Sequence, residues 1–408
     1  MKALCIPYSH TFSHLARPLA VGIELKARGH EVAFAGTSSK LRHAAEAGFA
    51  VYDLFEPAPD VLYGNIRAGR LRFVSREDIE RMVEADLDLI RAVRPDVVLT
   101  DGRFSAQVSC QVAGVPHAAI VNVSSTAYRA LPYIPMFDAV PRWLAPPGSA
   151  VRSALDRVNL RLEMAVFDAV MNVFSQLTRK HGLRRKVTAT NCLAGADLTL
   201  LADVPEYFPA RDMPPDHQYV GPLTWSLRLP APEGWPPPRR RGPCVYVTMG
   251  TTGIPEFFPL FVDLLARSGM DAVVTTGGQA PGLASPDPHI WVGDFVDGSL
   301  AMPLCDVVVC HGGNGTIYQA LQHGKPVIGM PSIPDQAFNM RRVEALGLGR
   351  TVSWTEFEKN PSVLLDVVRD VLGDPSFTEA AVRMQAVLAA YHAPARCADL
   401  LHELVRPF

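Results

Sequence analysis

A chain of 408 residues is long enough for two or three domains at ~100–200 residues each. Lysine and arginine total 39 against 41 acidic residues, a formal charge of −2, which excludes the basic excess of a dedicated nucleic-acid binder. With 48% apolar and 20% charged residues there is material for a core, and no apolar run reaches the ~20 residues of a membrane span.

The opening stretch Met1–Pro7 is too short for a signal peptide and reads as the start of a first strand, Ala3–Pro7. Ser13 is placed to cap a helix that runs to Arg28 and ends at Gly29, with Pro18 expected to delay or bend it. Strands are predicted at Glu31–Gly36 and Ala50–Phe55, with a helix over Ser39–Ala47 between them. A loop containing Gly and Arg then leads to a helix over Arg76–Val93, a strand over Asp96–Thr100, a helix over Ser105–Ala113 and a strand over His117–Val121. Short β-branched runs alternating with helical stretches are the pattern of an open parallel sheet.

Residues 122–190 break that rhythm. Pro132, Pro135, Pro141, Pro146 and Pro147 stand among aromatics, and a helix is predicted over Arg152–Lys180, carrying Met164, Phe167, Met171 and Phe174. These side chains either pack a core or line an apolar pocket for a large ligand, and the pattern leaves both open. Asp197–Ala202 is a further strand. Pro230–Pro243 is a proline-stiffened linker, and its Arg239, Arg240 and Arg241 read as solvated rather than as a phosphate patch. A second αβ series follows: Val245–Met249, Glu256–Ser268, Ala272–Thr276, Ile290–Val292, Val307–Cys310, Thr316–His323 and Val327–Met330, then helices to the end. The expected class is α/β, with two doubly wound sheets meeting across a cleft and ligands at the carboxyl ends of the strands. The expected division is 1–224, a linker at 225–243, 244–390, and a terminal helix at 391–408 packing back on the first domain. Cys5, Cys110, Cys192, Cys244, Cys305, Cys310 and Cys397 contain no CxxC pair. They read as buried free thiols of a cytoplasmic protein, not as a disulfide framework or zinc site.

Three segments carry chemistry. Cys310-His311-Gly312-Gly313-Asn314-Gly315-Thr316 follows an apolar strand and opens a helix. Glycines let backbone amides approach a ligand, and a helix N-terminus offers unpaired N–H groups and a positive dipole end, so the segment is built to hold a diphosphate. His311 and Thr316 can add donors. Thr248-Met249-Gly250-Thr251-Thr252-Gly253 is a second, weaker loop of the same kind. Neither is a Walker A sequence, and the opening strand is followed by no GxGxxG, which counts against ATPase and dinucleotide-oxidoreductase readings. His10 and His14 lie between the first strand and the first helix without the neighbouring Glu of a zinc pair, so metal binding is not expected. A neutral imidazole suits general-base work, and Asp101 lies where it can orient one; a helix-start hydrogen bonder is the bland reading of His14.

These residues resemble a known family. The chain is similar throughout to bacterial family 1 glycosyltransferases of the GT-B fold, particularly those that glycosylate natural products. The most specific stretch runs from Phe295-Val296 through Cys305–Thr316, Gln319-Ala320-Leu321 and Gly324-Lys325-Pro326-Val327-Ile328 to Pro331, Asp335-Gln336, Asn339 and Leu346-Gly347. Ser13-His14, Arg28-Gly29-His30-Glu31-Val32 and Val220-Gly221-Pro222-Leu223 match the family elsewhere.

The resemblance implies an inverting, metal-independent transferase with an acceptor-binding first domain and a nucleotide-sugar-binding second domain. His14 falls on the family's base, in preference to His10, and Asp101 on its partner acid. Gly250, Thr251, His311, Gly313, Asn314, Gly315 and Thr316 fall on the diphosphate loops. Phe295 and Val296 fall on the nucleobase site, and Asp335 and Gln336 on the donor-sugar site. Gln319 stands where plant members carry a ribose-binding Glu, which favours a dTDP-deoxysugar over a UDP-sugar. Asp297 replaces a common Pro. His10, Phe12, Phe137, Met164 and Phe167 are expected at the acceptor pocket. The implied partners are a nucleotide sugar and a hydrophobic aglycone of secondary metabolism, with no resident cofactor, nucleic acid or stable membrane insertion, in a monomer or homodimer. A nucleotide-sugar epimerase or hydrolase would need clustered acids where only Asp335 stands, and a binding protein without turnover would have no use for His14 and Asp101.

Overall fold

In the computed structural model of the protein, the apolar runs become strands paired only in parallel within two sheets. Residues 1–137, 140–141, 143–146, 148–224, 231–232, 234–235, 242–250 and 255–406 are described. The chain divides into two compact units, Met1–Leu223 together with the stretch from His392 on, and Thr224–Tyr391.

The first unit holds β1 (Lys2–Pro7), β2 (Glu31–Gly36), β3 (Ala50–Asp53), β4 (Val97–Asp101), β5 (His117–Val121), β6 (Leu198–Leu201) and β7 (His217–Tyr219), in the order β3-β2-β1-β4-β5-β6-β7. β4 and β5 are buried along their whole length, which is why they read as unbroken apolar runs rather than alternating ones. Strand order reverses between β1 and β4, and Pro7 stands in register with Asp101. The chain therefore leaves both strands at one level and diverges, opening a crevice at their carboxyl ends.

The second unit repeats the plan with β8 (Cys244–Thr248), β9 (Asp271–Thr275), β10 (Ile290–Gly293), β11 (Val307–Cys310), β12 (Val327–Gly329) and β13 (Gly349–Thr351), in the order β10-β9-β8-β11-β12-β13. Its reversal lies between β8 and β11, where Thr248 is in register with Cys310. Val245, Val247, Phe258, Phe261, Val307 and Val309 lie in one buried cluster, each contributing ~1.5–3 kcal/mol of burial if a large side chain.

Several expectations need correction. The first helix is Phe12–Ala27, so Ser13 lies inside it rather than capping it; Thr11 is the cap residue and makes no side-chain cap bond. Pro18 neither delays nor ends the helix, but it lacks the N–H that would bond the His14 carbonyl. The loop before Arg76 contains a helix, Pro59–Arg67. The predicted helix Arg152–Lys180 is two helices, Ala150–Val170 and Val173–His181, because Met171 leaves helical geometry while its side chain enters a core with Phe174 and Leu177. Helices do not run unbroken to the end, since β13 intervenes. β7 and β13 span three residues each, too few to show a period.

The helix Ala393–Val405 lies on the first unit: Arg28 Nη1 donates to Asp399 Oδ1 at 2.6 Å, and the His30 and His402 rings stack at 5.7 Å. All seven cysteines are buried and unbonded. Among the described residues no helix is long and apolar enough to cross a membrane.

Candidate active site

β1 and β4 deliver the first group of polar side chains. His14 stands in the first turn after β1, and Asp101 is the last residue of β4, 1% exposed. His14 Nδ1 lies 2.6 Å from Asp101 Oδ1. A carboxylate accepts only, so Nδ1 carries the proton, and in the neutral ring Nε2 keeps its lone pair. Gly102, at φ +77°, turns the chain directly after Asp101; a Cβ there would lie 3.3 Å from His14 Nδ1. The imidazole thus rests against a position that only glycine fills without strain.

Sequence reasoning missed the groups behind this pair. Arg17 donates from Nε to Asp101 Oδ2 at 2.7 Å and from Nη2 to Asp101 Oδ1 at 2.6 Å. Its Nη1 donates to Asn122 Oδ1 at 2.7 Å, and Asn122 Nδ2 donates to Asp203 Oδ1 at 3.0 Å. Asp203 Oδ2 accepts the Val123 amide at 2.6 Å. The helix after β1 and the ends of β4, β5 and β6 are therefore tied by one network. The spacing of Arg17, three residues after His14 and so on the same helix face, was the available signal. Two buried carboxylates brace the surrounding loops. Glu56 accepts the Ser9 and Thr37 amides at 2.6 and 2.8 Å, and Asp86 takes Arg103, Ser105 and Ser109.

Of the five residues expected at an acceptor pocket, His10 alone lines the cavity of about 630 Å³ beside Glu56, Phe55, Leu62 and Phe73. Phe167 stacks on Phe73 at 6.0 Å and also packs against the core of Phe174 and Leu177. Phe12 meets the His43 ring edge-on at 5.9 Å and does not line that cavity. Phe137 is half-buried in a turn whose carbonyl accepts from Arg152, and Met164 is half-buried on the helix Ala150–Val170.

In the second unit, Gly250 follows β8 by two residues and His311 directly follows β11. A Cβ on Gly250 would lie 2.9 Å from His311 Cε1, and one on Gly313 would overlap His311 Nε2. The two glycines make a slot for the imidazole. Burial pushes the ring down to about 4, so it is neutral at pH 7, and its Nδ1 is shielded with no partner among the described residues. The helix Asn314–Gln322 begins shortly after it, with Gly313 as cap residue and no side-chain cap bond to its first turn. Asn339 Nδ2 holds the Gly312 carbonyl at 3.0 Å, fixing the loop. These are the features of an anion site: amides at a helix start, a neutral donor and glycines that clear the approach.

Phe295 is 49% exposed, with its ring over Gly278, and Val296 is half-buried beside it. Asp297 caps the helix Gly298–Ala301, accepting the Ser299 amide at 2.9 Å, which gives this departure from the family a structural task. Gln319 lies against the backbone of Gly298. Asp335 is half-buried, while Gln336 is 3% exposed and its Oε1 accepts the Ser332 amide at 2.8 Å. Thr251 and the three linker arginines lie outside the described residues. Among the described residues no group of His, Cys, Asp and Glu could hold a metal ion.

Two parallel-sheet Rossmann-like units of this order are the GT-B fold of glycosyltransferases, and solved structures share it. The calicheamicin glycosyltransferase CalG4 matches with a TM-score of 0.73 at 20% identity, over 99% of this chain and 98% of that one. The glycosyltransferase VinC in complex with dTDP matches with 0.68 at 20% identity, over 99% of each. Residues 260–404 match the family described as erythromycin biosynthesis protein CIII-like, C-terminal domain. The chain is 30% identical to the PGL/p-HBAD biosynthesis rhamnosyltransferase of Mycobacterium bovis (strain BCG / Pasteur 1173P2), over 94% of this chain and 88% of that protein. The chain belongs to the family 1 glycosyltransferases of the natural-product type.

Proposed function

We propose that this glycosyltransferase moves a deoxysugar from a dTDP donor to a hydroxyl of a hydrophobic natural-product acceptor, with inversion at the anomeric carbon. The observation that carries the chemistry is the 2.6 Å contact of His14 Nδ1 with Asp101, which in the neutral ring turns the lone pair of Nε2 away from the carboxylate. Nε2 takes the acceptor hydroxyl proton while the acceptor oxygen attacks the anomeric carbon. The bond from that carbon to the diphosphate oxygen breaks, and its electron pair leaves with the nucleoside diphosphate. Asp101 balances the imidazolium as it forms.

Charge grows on the leaving diphosphate. The amides of Asn314, Gly315 and Thr316 and the neutral His311 ring meet it with donors already in place, which is where preorganised donors act most strongly. Asp335 binds the sugar hydroxyls, Phe295 packs the base, and Gln319 reads the deoxyribose side. Gln336 supports the Ser332 turn beside the sugar. The first unit supplies the acceptor site, with the cavity beside His10 as the apolar seat for the aglycone. A rhamnosyltransferase among the relatives and dTDP in a fold neighbour support the donor class.

Transfer is tested with dTDP- and UDP-sugars against a panel of aromatic and macrocyclic acceptors, by the mass of the product. dTDP-deoxysugars should give the larger yield. His14→Ala should lower kcat by ~10²–10⁴. Undiminished turnover in His14→Ala would remove the base from this scheme. A chelator should leave the rate unchanged, and strong sensitivity to it would contradict the amide-and-imidazole account of the leaving group.

A further inference from the structure

The guanidinium of Arg17 makes more of the Asp101 carboxylate than His14 does. Nε and Nη2 grip both carboxylate oxygens, at 2.7 and 2.6 Å, in the paired geometry that fixes a carboxylate in its plane. The third nitrogen is anchored on Asn122, and through it on Asp203 and the Val123 amide. Asp101 is 1% exposed and the Arg17 side chain 13%, so solvent does little to screen the pair. Arg17 Nη2 also stands 3.3 Å from His14 Nδ1. With Nδ1–H already directed at Asp101, that approach makes no hydrogen bond and places a positive charge beside the ring.

We propose that Arg17 is a positioning residue that holds Asp101 in plane and offsets its charge, so that His14 stays an unprotonated base and does not become a standing imidazolium. The inference rests on the reading of His14 as the base. A lone buried carboxylate at 2.6 Å would favour the charged ring strongly; a carboxylate already paired with a guanidinium orients the ring while pulling on its proton less. Charged and titratable groups face His14 from three sides. Asp101 comes from β4, Arg17 from its own helix, and Tyr8 from the end of β1, its ring at 6.4 Å with His10 beyond it at 5.4 Å from Tyr8. Asp203 reaches the network through Asn122. At the far end of that helix, the charge of its cap residue Arg28 is taken by Asp399 and Glu24.

The test follows the His14 ring directly, by nitrogen-15 shifts of the imidazole against pH in the full chain, alongside transfer to the acceptor turned over best in the panel. In wild type the shifts should report a protonated Nδ1 and a bare Nε2. In Arg17→Met the midpoint of ring protonation should move to higher pH. kcat at pH 6 should then fall ~10-fold further than at pH 8.5, with acceptor KM and dTDP affinity changed little. Arg17→Lys should restore the midpoint, because it keeps the charge, but only part of kcat, because an ammonium cannot grip both oxygens. If Arg17→Met does not fold, Asn122→Ala, which frees Nη1, should shift the midpoint the same way by less. An unchanged midpoint, or a loss equal at every pH and matched by a lowered melting temperature, would overturn the inference. Those outcomes leave the base reading standing. Full turnover in His14→Ala removes the base reading instead, whatever Arg17 does to the ring.

Discussion

Two buried histidines outside the His14–Asp101 pair show how the fold uses neutral imidazole. His117, on β5, accepts the Ala196 amide on Nδ1 at 3.1 Å, so its proton is on Nε2, which donates to Thr100 Oγ1 at 2.8 Å. A second proton would face an N–H. Burial pushes both His117 and His311 down to about 4. In the unfolded chain a histidine titrates near ~6.5, so between that value and 4 the unfolded state binds more protons. Stability contributed by the two rings is therefore complete above pH 6.5 and is lost as pH falls toward 4. Urea midpoints measured from pH 7 to pH 4.5 should decline, and a flat or rising profile would contradict the buried neutral rings. The thiols follow the same physics. Burial pushes Cys5 and Cys310 up to about 12, so a thiol reagent at pH 8 should count no reactive cysteine until denaturant is added.

At this scale Asp101, His311 and His14 were legible as candidates because each is a polar residue at, directly after or in the first helical turn beyond the carboxyl end of an apolar strand. Arg17, Asn122 and Asp203 were not singled out. Their importance is a matter of which side chains the fold brings together across more than eighty residues of chain, as Arg17 with Asp101 and Asn122 with Asp203 show.

Among the elements, the helix Arg76–Val93 bears on the His14–Asp101 pair without supplying either residue. Ser75 caps it by accepting the Asp78 amide, and its buried face carries Asp86. Asp86 is 0% exposed and Arg103 1%; the two pair at 2.7 Å, while Ser105 and Ser109 fill the other carboxylate oxygen. Arg103 follows Gly102, so this pair sets where the chain goes after Asp101. Asp86→Ala leaves a buried guanidinium without its counter-charge and should destabilise the first unit by ~3–5 kcal/mol, read by urea unfolding. A change below ~1 kcal/mol would show that Arg103 finds water or another acceptor. The cap at Ser75 and the run of apolar positions made this helix readable to the residue. The helix Pro59–Arg67 was hidden by Gly64 and by a polar stretch whose packing is decided by tertiary contact. The break at Met171 was hidden for the opposite reason, since helical propensity continues through it and only core packing ends the turn.

For the whole molecule, the sequence pattern of two strand–helix series yielded the doubly wound class, but not that six strands of the first sheet share the order of the six in the second. In the proposed scheme the proton chemistry falls at the β1/β4 reversal of the first unit and the diphosphate at the β8/β11 reversal of the second. Calorimetric titration of dTDP into three proteins tests this division of labour most directly. His14→Ala should bind dTDP as wild type does. His311→Ala should bind it ~10–10²-fold more weakly, the loss expected when a donor to a charged phosphate is removed. Equal affinity in all three, or a loss in His14→Ala as large as in His311→Ala, would contradict it.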